Sequence, residues 1–277
     1  MKKFTVRENS TLKKFTDATY PQGSFALNVL LKKGDIRVNG VKVRADCPVT
    51  AGEEVVYYTT PAQEGKRSHT VVYEDENILV CDKESGVSSE ALFCEIEESG
   101  ARFPVHRLDR NTVGLIAVAK SEEAQNILID AFKNRAVDKV YFCLAKNNFK
   151  RTAATLTAYL SKDAVQGTVK ISDAPSDGAV RIITEYEVIE TSNDLALVKI
   201  ILHTGKTHQI RAHLAFIGCP VLGDGKYGDF ALNRKYRVTR QLLVAKELTF
   251  HLNGKWEYLN GLKFVSRRSI SLTGEIN

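Results

Sequence analysis

Cysteine is sparse in this sequence and never paired by spacing. Cys47, Cys81, Cys94, Cys143 and Cys219 are scattered, odd in number and without a CxxC step. That excludes a disulfide framework or a cysteine-rich zinc module and suits small buried side chains in a reducing compartment. No window is long and apolar enough to span a bilayer, and the N-terminus has no apolar signal core. A cytoplasmic chain without a membrane partner is expected. Internal repeats and low-complexity tracts are absent, so neither a solenoid nor a disordered tail is indicated. Charge of one sign is not extreme: the net charge is +6 and the pI near 8.9, which is compatible with a polyanionic partner without requiring one. What is present suits a globular protein, 43% hydrophobic and 26% charged over 277 residues. That length fits one large domain with a small one attached.

Residues 1–60 read as the small unit. Ser24 is placed to cap a helix from Phe25 to Lys33, closed by Gly34. Ile36, Val38, Val41 and Val43 then flank Asn39-Gly40, a strong hairpin signal. A strand from Val55 to Tyr58 follows. This front segment holds ten Lys/Arg against six Asp/Glu, so it carries +4 of the total +6. Lys32, Lys33, Arg37, Lys42 and Arg44 fall at the helix end and on the hairpin. A solvated surface accounts for them as readily as a phosphate-binding face.

The polar stretch 61–70, with Pro61 and Gly65, reads as a linker to a larger unit, 71–277. Strands are expected at Val71–Tyr73, Ile78–Cys81, Val113–Ala119 and Val140–Ala145. A long hairpin from Ala179 to Leu202 turns at Ser192-Asn193-Asp194. Helices are expected from Glu90 to Glu98 and after Ser121. Hairpin-joined strands with inserted helices indicate an α+β fold with a mixed, mostly antiparallel central sheet.

Two stretches carry chemistry. The first is PVHRLDRNTVGLIAVAK, from Pro104 to Lys120. One carboxylate, Asp109, stands among three potential cations, His106, Arg107 and Arg110, and a fully apolar strand follows. An isolated loop aspartate is ordinarily a solvated ion-pair partner. The second stretch runs from Leu202 to Leu214, with Arg211 expected one helical turn after Thr207. Its Gly205-Lys206-Thr207 lacks the upstream glycine of a phosphate loop, since that position is Ile200. Gly223 to Gly228 matches GxGxxG in spacing but lacks the strand and helix of a dinucleotide site. His203, His208 and His213 recur every fifth residue, about 140° per step on a helix, and do not converge on a metal.

Together these strings resemble the RluA-type pseudouridine synthases over nearly the whole chain. HRLD followed by Arg, Thr and Gly resembles the signature loop, and GKTHQIR with IGCPVLGD resembles two later motifs. The front unit resembles a ribosomal-protein-type RNA-binding domain. The resemblance implies conversion of uridine to pseudouridine in structured RNA, ribosomal more than transfer RNA, by a monomer without cofactor or metal. It implies that Asp109 is the nucleophile and that Arg211 pairs with it, keeps it ionised and orients it. Tyr141, in Lys139-Val-Tyr, would pack on the base and assist proton transfer, with Leu243 beneath the base. RNA contacts would come from the front cations and from His106, Arg107, Arg110, Lys206, Thr207 and His208. Departures fall at Glu84, Val113, Lys206 and Val244, which leave the target site open. A noncatalytic RNA-binding relative is the alternative, and a two-carboxylate hydrolase lacks a second acid placed by any motif.

Overall fold

The structure, a computed structural model, describes residues 1–97, 103–163 and 167–276. Its centre is an eleven-stranded sheet. The main path runs Thr168–Ser172, Ala153–Asp163, Val180–Ser192, Leu195–Leu202, Val137–Lys146, Leu243–Phe250, Val113–Ala119, Ile78–Lys83 and His69–Glu74. Lys263–Val265 and Phe103–Pro104 attach to it as short additional strands. Among the described residues every ladder between strands is antiparallel except Val113–Ala119 with Leu243–Phe250. The expected mixed, mostly antiparallel α+β architecture is therefore the one found.

Val113–Ala119 is buried at all seven positions because both of its faces are covered. Leu115, Ala117 and Ala119 face one core, where the helix Glu122–Lys133 contributes Ala124, Leu128 and Ala131. Ile116 and Val118 face the other, which also takes Leu92, Ile96, Ile210 and Leu214 from two helices, Ser89–Glu97 and Gln209–Phe216. Alternate residues pointing to opposite faces produce this division. Ser121 caps its helix by accepting the Ala124 N–H at 3.1 Å. Gly114 has φ +106°, and a Cβ there would lie 2.2 Å from the Ala245 carbonyl oxygen. Glycine alone allows the strand carrying Asp109's loop to approach its parallel neighbour this closely. The Glu98 end expected for the Ser89 helix lies outside the described residues.

In the front segment a four-stranded sheet, Lys2–Thr5, Glu54–Tyr57, Ile36–Val38 and Val41–Val43, packs with two helices, Leu12–Thr19 and Pro21–Lys33. Its own core includes Leu12, Phe15, Tyr20, Leu27, Leu30, Ile36, Val55 and Tyr57. Ser24 does not cap the second helix. Pro21 occupies the first turn, where its missing N–H costs nothing, so the helix starts four residues before Phe25 and Ser24 lies inside it. The stretch 61–70 is also more ordered than a linker: Pro61–Glu64 is a helical turn boxed by Thr60 and Gln63, and His69 begins a strand.

Candidate active site

The loop bearing Asp109 is fixed from several sides. Ser89 Oγ donates to the Leu108 carbonyl at 2.9 Å and accepts the Leu108 N–H at 3.0 Å. The Arg110 carbonyl accepts from Gly86 N–H at 3.0 Å and from Lys83 Nζ at 3.1 Å. Lys83 is fully buried, and Nζ also donates to the carbonyls of Glu84 and Val87. Burial pushes its pKa down to about 7, with the charge of Asp109 opposing the shift. Gln241 Nε2 donates to buried Thr112 Oγ1 at 2.8 Å, and the Thr112 N–H returns to the Asp109 carbonyl at 3.0 Å. These bonds leave the Asp109 side chain 19% exposed at the floor of a cavity of about 650 Å³.

The three cations adjacent in sequence do not surround Asp109. Arg107 is exposed and pairs with Glu90 at 3.2 Å. Arg110 turns away: Nη2 donates to both Asp17 oxygens, at 2.8 and 2.5 Å, and Nη1 reaches Ser24 Oγ at 3.3 Å. His106 lies against Phe132 with ring centroids 4.4 Å apart, and Nε2 accepts the Ala117 N–H at 2.9 Å. That nitrogen is therefore unprotonated, and burial, followed by the charge of Lys139, pushes the imidazole pKa down to about 3. His106 is a neutral packing group rather than a cation for phosphate. Successive loop residues point in divergent directions, which defeats the ring expected from sequence adjacency.

The cation on Asp109 comes from 102 residues further along the chain. Arg211 Nη1 donates to Asp109 Oδ2 at 2.8 Å. Its remaining donors go elsewhere: Nε and Nη2 reach Asp224 Oδ2 and Oδ1 at 2.7 and 2.8 Å. The two-pronged pair is thus Arg211–Asp224, and Asp109 receives one bond. Burial disfavours the guanidinium charge, but the Asp224 bonds and charge, then Asp109, outweigh it and raise the Arg211 pKa. Burial likewise opposes the Asp224 charge and is overcome by Arg211 and the backbone N–H groups of Lys226 and Tyr227, which lower its pKa. Arg211 Cζ also lies 5.3 Å from the centre of the Tyr227 ring.

Asp224 is fully buried and stood unremarked in the sequence apart from its place in the VLGD string. The glycines around it explain the GxGxxG spacing. A Cβ at Gly223 would meet the Arg240 carbonyl oxygen at 2.0 Å, and one at Gly228 would meet the Asp224 carbonyl oxygen at 2.1 Å. They pack a tight turn that delivers a carboxylate to Arg211, not a dinucleotide cradle.

Arg211 belongs to Gln209–Phe216, and Thr207 precedes that helix. They do not share a helix face, because His208 at φ 55° breaks the run before Gln209. Gln209 is buried and fixes the preceding turn: Oε1 accepts from Thr204 Oγ1 at 2.9 Å and from the Lys206 N–H at 3.1 Å. His208 Nε2 lies 3.9 Å from Asp109 Oδ1, while Nδ1 is 2.9 Å from the Tyr227 hydroxyl. Burial holds His208 below the usual histidine range despite the pull of Asp109. His203 and His213 turn to Glu185 and Thr184, so the three histidines do not converge.

Tyr141 and Leu243 line the same cavity as Asp109, are nearly buried, and stand on neighbouring strands, Val137–Lys146 and Leu243–Phe250. Burial and the Asp109 charge hold the Tyr141 phenol above its ordinary pKa. Lys206 and Thr207 are exposed at the cavity rim. In the front segment Lys32, Lys33, Lys42 and Arg44 are exposed, whereas Arg37 is half-buried with Cζ 5.2 Å from the Tyr58 ring.

The family described as RNA pseudouridylate synthase matches residues 77–216, which include Asp109, Tyr141 and Arg211. A ribosomal large subunit pseudouridine synthase C of Vibrio parahaemolyticus is 29% identical over 83% of this chain and 82% of its own length. An uncharacterized RNA pseudouridine synthase of Aquifex aeolicus is 32% identical over 80% of this chain and 78% of its own. Among solved structures, human RNA pseudouridylate synthase domain containing 1 superposes with a TM-score of 0.58 and 27% identity. That alignment covers 66% of this chain and 78% of the human one. The chain belongs to the RNA pseudouridylate synthase family and is a pseudouridine synthase, an isomerase. No helix among the described residues is long and apolar enough to cross a membrane.

Proposed function

We propose that this enzyme isomerises specific uridines of structured RNA, ribosomal rather than transfer RNA, with Asp109 as nucleophile and no cofactor. The observation that carries the reading is the Asp109–Arg211 contact at 2.8 Å, in a cavity that Tyr141 and Leu243 also line. The names of the ribosomal large subunit relatives support the choice of RNA. The target uridine leaves its stack to enter such a cavity. Asp109 attacks the ribose anomeric carbon or the pyrimidine ring as the bond from N1 to that carbon breaks. The base turns, C5 bonds to the anomeric carbon, the bond to Asp109 breaks and returns its electron pair to the carboxylate, the C5 proton leaves, and N1 ends protonated. Atoms balance without any co-reactant. Arg211 orients the attacking carboxylate through Oδ2, Tyr141 packs on the base and assists the proton transfer, and Leu243 supports the base from beneath.

Residues 1–60 are proposed as an RNA-binding unit, with Lys32, Lys33, Lys42 and Arg44 on phosphate. A chain lacking them should bind RNA more weakly and with a shallower salt dependence.

The decisive test is Asp109→Asn, which keeps the side chain's shape and removes the nucleophile. Pseudouridine formation on ribosomal RNA, read as tritium released from C5-labelled uridine in a single turnover, should vanish while RNA affinity persists. Turnover close to the parent rate would refute the mechanism.

A further inference from the structure

One wall of the catalytic cavity is built from cations that the reaction outlined above does not use. Lys133, Arg135 and Lys139 line it beside Phe132 and His106. Lys139 is the least ordinary of them. It is 8% exposed, yet Nζ makes no hydrogen bond or ion pair among the described residues. Its Nζ lies over the Phe132 ring, 5.8 Å from the ring centre. Asp138, its sequence neighbour, points to the other face of the strand and is held by His251 at 2.7 Å. Lys139 and Tyr141 stand two apart on one strand, so their side chains share the face that looks into the cavity. Burial holds the ammonium below the ordinary lysine range, with Arg135 adding to the shift against Asp138. The stem of Lys139 is buried and its ammonium opens onto the cavity with no anion against it among the described residues, a position that an incoming anion would fill.

Arg135 adds an independent observation. Its φ is +62°, in the left-handed region that glycine and asparagine adopt easily and arginine does not. It follows Asn134, which caps the helix Glu122–Lys133, a place where glycine is the usual choice. A strained arginine, exposed and without an ion-pair partner among the described residues, stands where a glycine would fold better. Lys133 alone is accounted for by the helix dipole at that C-terminus, but Arg135 and Lys139 are not.

We infer that Arg135 and Lys139, with Lys133 at the rim, form a phosphate subsite for the RNA strand whose uridine reaches Asp109. The inference rests on the RNA-modifying function proposed above. A backbone phosphate on this wall would fix the flipped nucleotide's ribose from the side opposite Arg211's helix, and hold the base against Tyr141.

The test uses the full chain and a fluorescently labelled twelve-nucleotide oligouridylate, titrated by anisotropy over a salt series. Lys139→Met keeps an unbranched stem and removes the charge. It should weaken binding and reduce the slope of log affinity against log salt by about 0.7, the value for one phosphate contact on a single strand. Lys139→Arg should restore the slope. Arg135→Gly should raise the thermal midpoint by relieving the left-handed backbone, yet lower RNA affinity, opposite signs that a structural role does not produce. Parental slope and affinity in both Lys139→Met and Arg135→Gly would overturn the subsite. Because this readout is binding, it stays distinct from a failure of the pseudouridine assay with Asp109→Asn.

Discussion

Two arginines border Asp109, Arg211 buried and Arg110 half-buried, and they do opposite things with similar chemistry. Arg110 is Asp109's neighbour in the chain and gives its guanidinium to Asp17 and Ser24 of the front segment. Arg211 is remote in the chain and gives one nitrogen to Asp109 and two to Asp224. The first ties the loop to a different part of the molecule. The second holds Asp109 itself. Covalent adjacency therefore says little about which cation serves Asp109. The adjacent arginine is committed to structure, and the useful charge arrives on the helix Gln209–Phe216. A further consequence concerns the front segment, which does not sit apart from the loop. Its helix Pro21–Lys33 places Ser24 against Arg110, and Phe25 packs on the core beneath the cavity.

The comparison can be broken most severely at Arg211. Arg211→Ala leaves Asp224 buried without a cation, which should cost about 3–5 kcal/mol of stability in denaturant unfolding. Turnover should fall to background in the same variant. Arg211→Lys should recover only part of either loss, because one ammonium cannot bridge two carboxylates in the plane of a guanidinium. Parental stability in the lysine variant would show that the Asp224 fork contributes nothing.

The Arg110 side should respond more mildly. Asp17→Asn keeps an oxygen for Ser24 and removes the charge facing Arg110, in a pair that is only partly screened from solvent. The expected cost is about 1–3 kcal/mol, the scale for leaving one buried polar group under-satisfied. The diagnostic is where it appears. Amide exchange should quicken in the 104–112 loop as well as in the front helices, since Arg110 joins them. Exchange confined to residues 1–60 would mean that the two parts are not coupled through this pair.

How much of this was legible in the sequence depends on the range of each interaction. The strand Val113–Ala119 and the Ser121 cap are local, and the residues specify them directly. The Asp109–Arg211 contact spans 102 positions and was legible only through the resemblance of HRLD and HQIR to family motifs, which implied the pair. Asp224 was written in the VLGD string, yet its role needs the fold, because only the fold brings that turn under Arg211. Ser24 misled as a helix cap because Pro21, an equally local signal, won the start of the helix. Lys139 was visible as the first letter of Lys-Val-Tyr, but that it lacks an anionic partner among the described residues is a property of three-dimensional surroundings.

The smallest stability effect belongs to Arg107, the exposed arginine of the loop. Its side chain is 64% exposed and its partner Glu90 is 48% exposed, so the pair is screened and free to exchange with water. Arg107→Ala should therefore change unfolding free energy by no more than about 0.5 kcal/mol. Its position on the cavity rim gives the substitution a different expected signature. If Arg107 meets RNA phosphate, the salt slope of oligouridylate binding should drop by about 0.7 while the thermal midpoint stays put. Glu90→Gln supplies the contrast, because it frees Arg107 without removing it and should leave binding equal or tighter. A loss of stability in Arg107→Ala as large as that of Asp17→Asn would mean that the loop's two arginines are not divided between structure and substrate, and that reading the exposed one as a substrate contact is wrong.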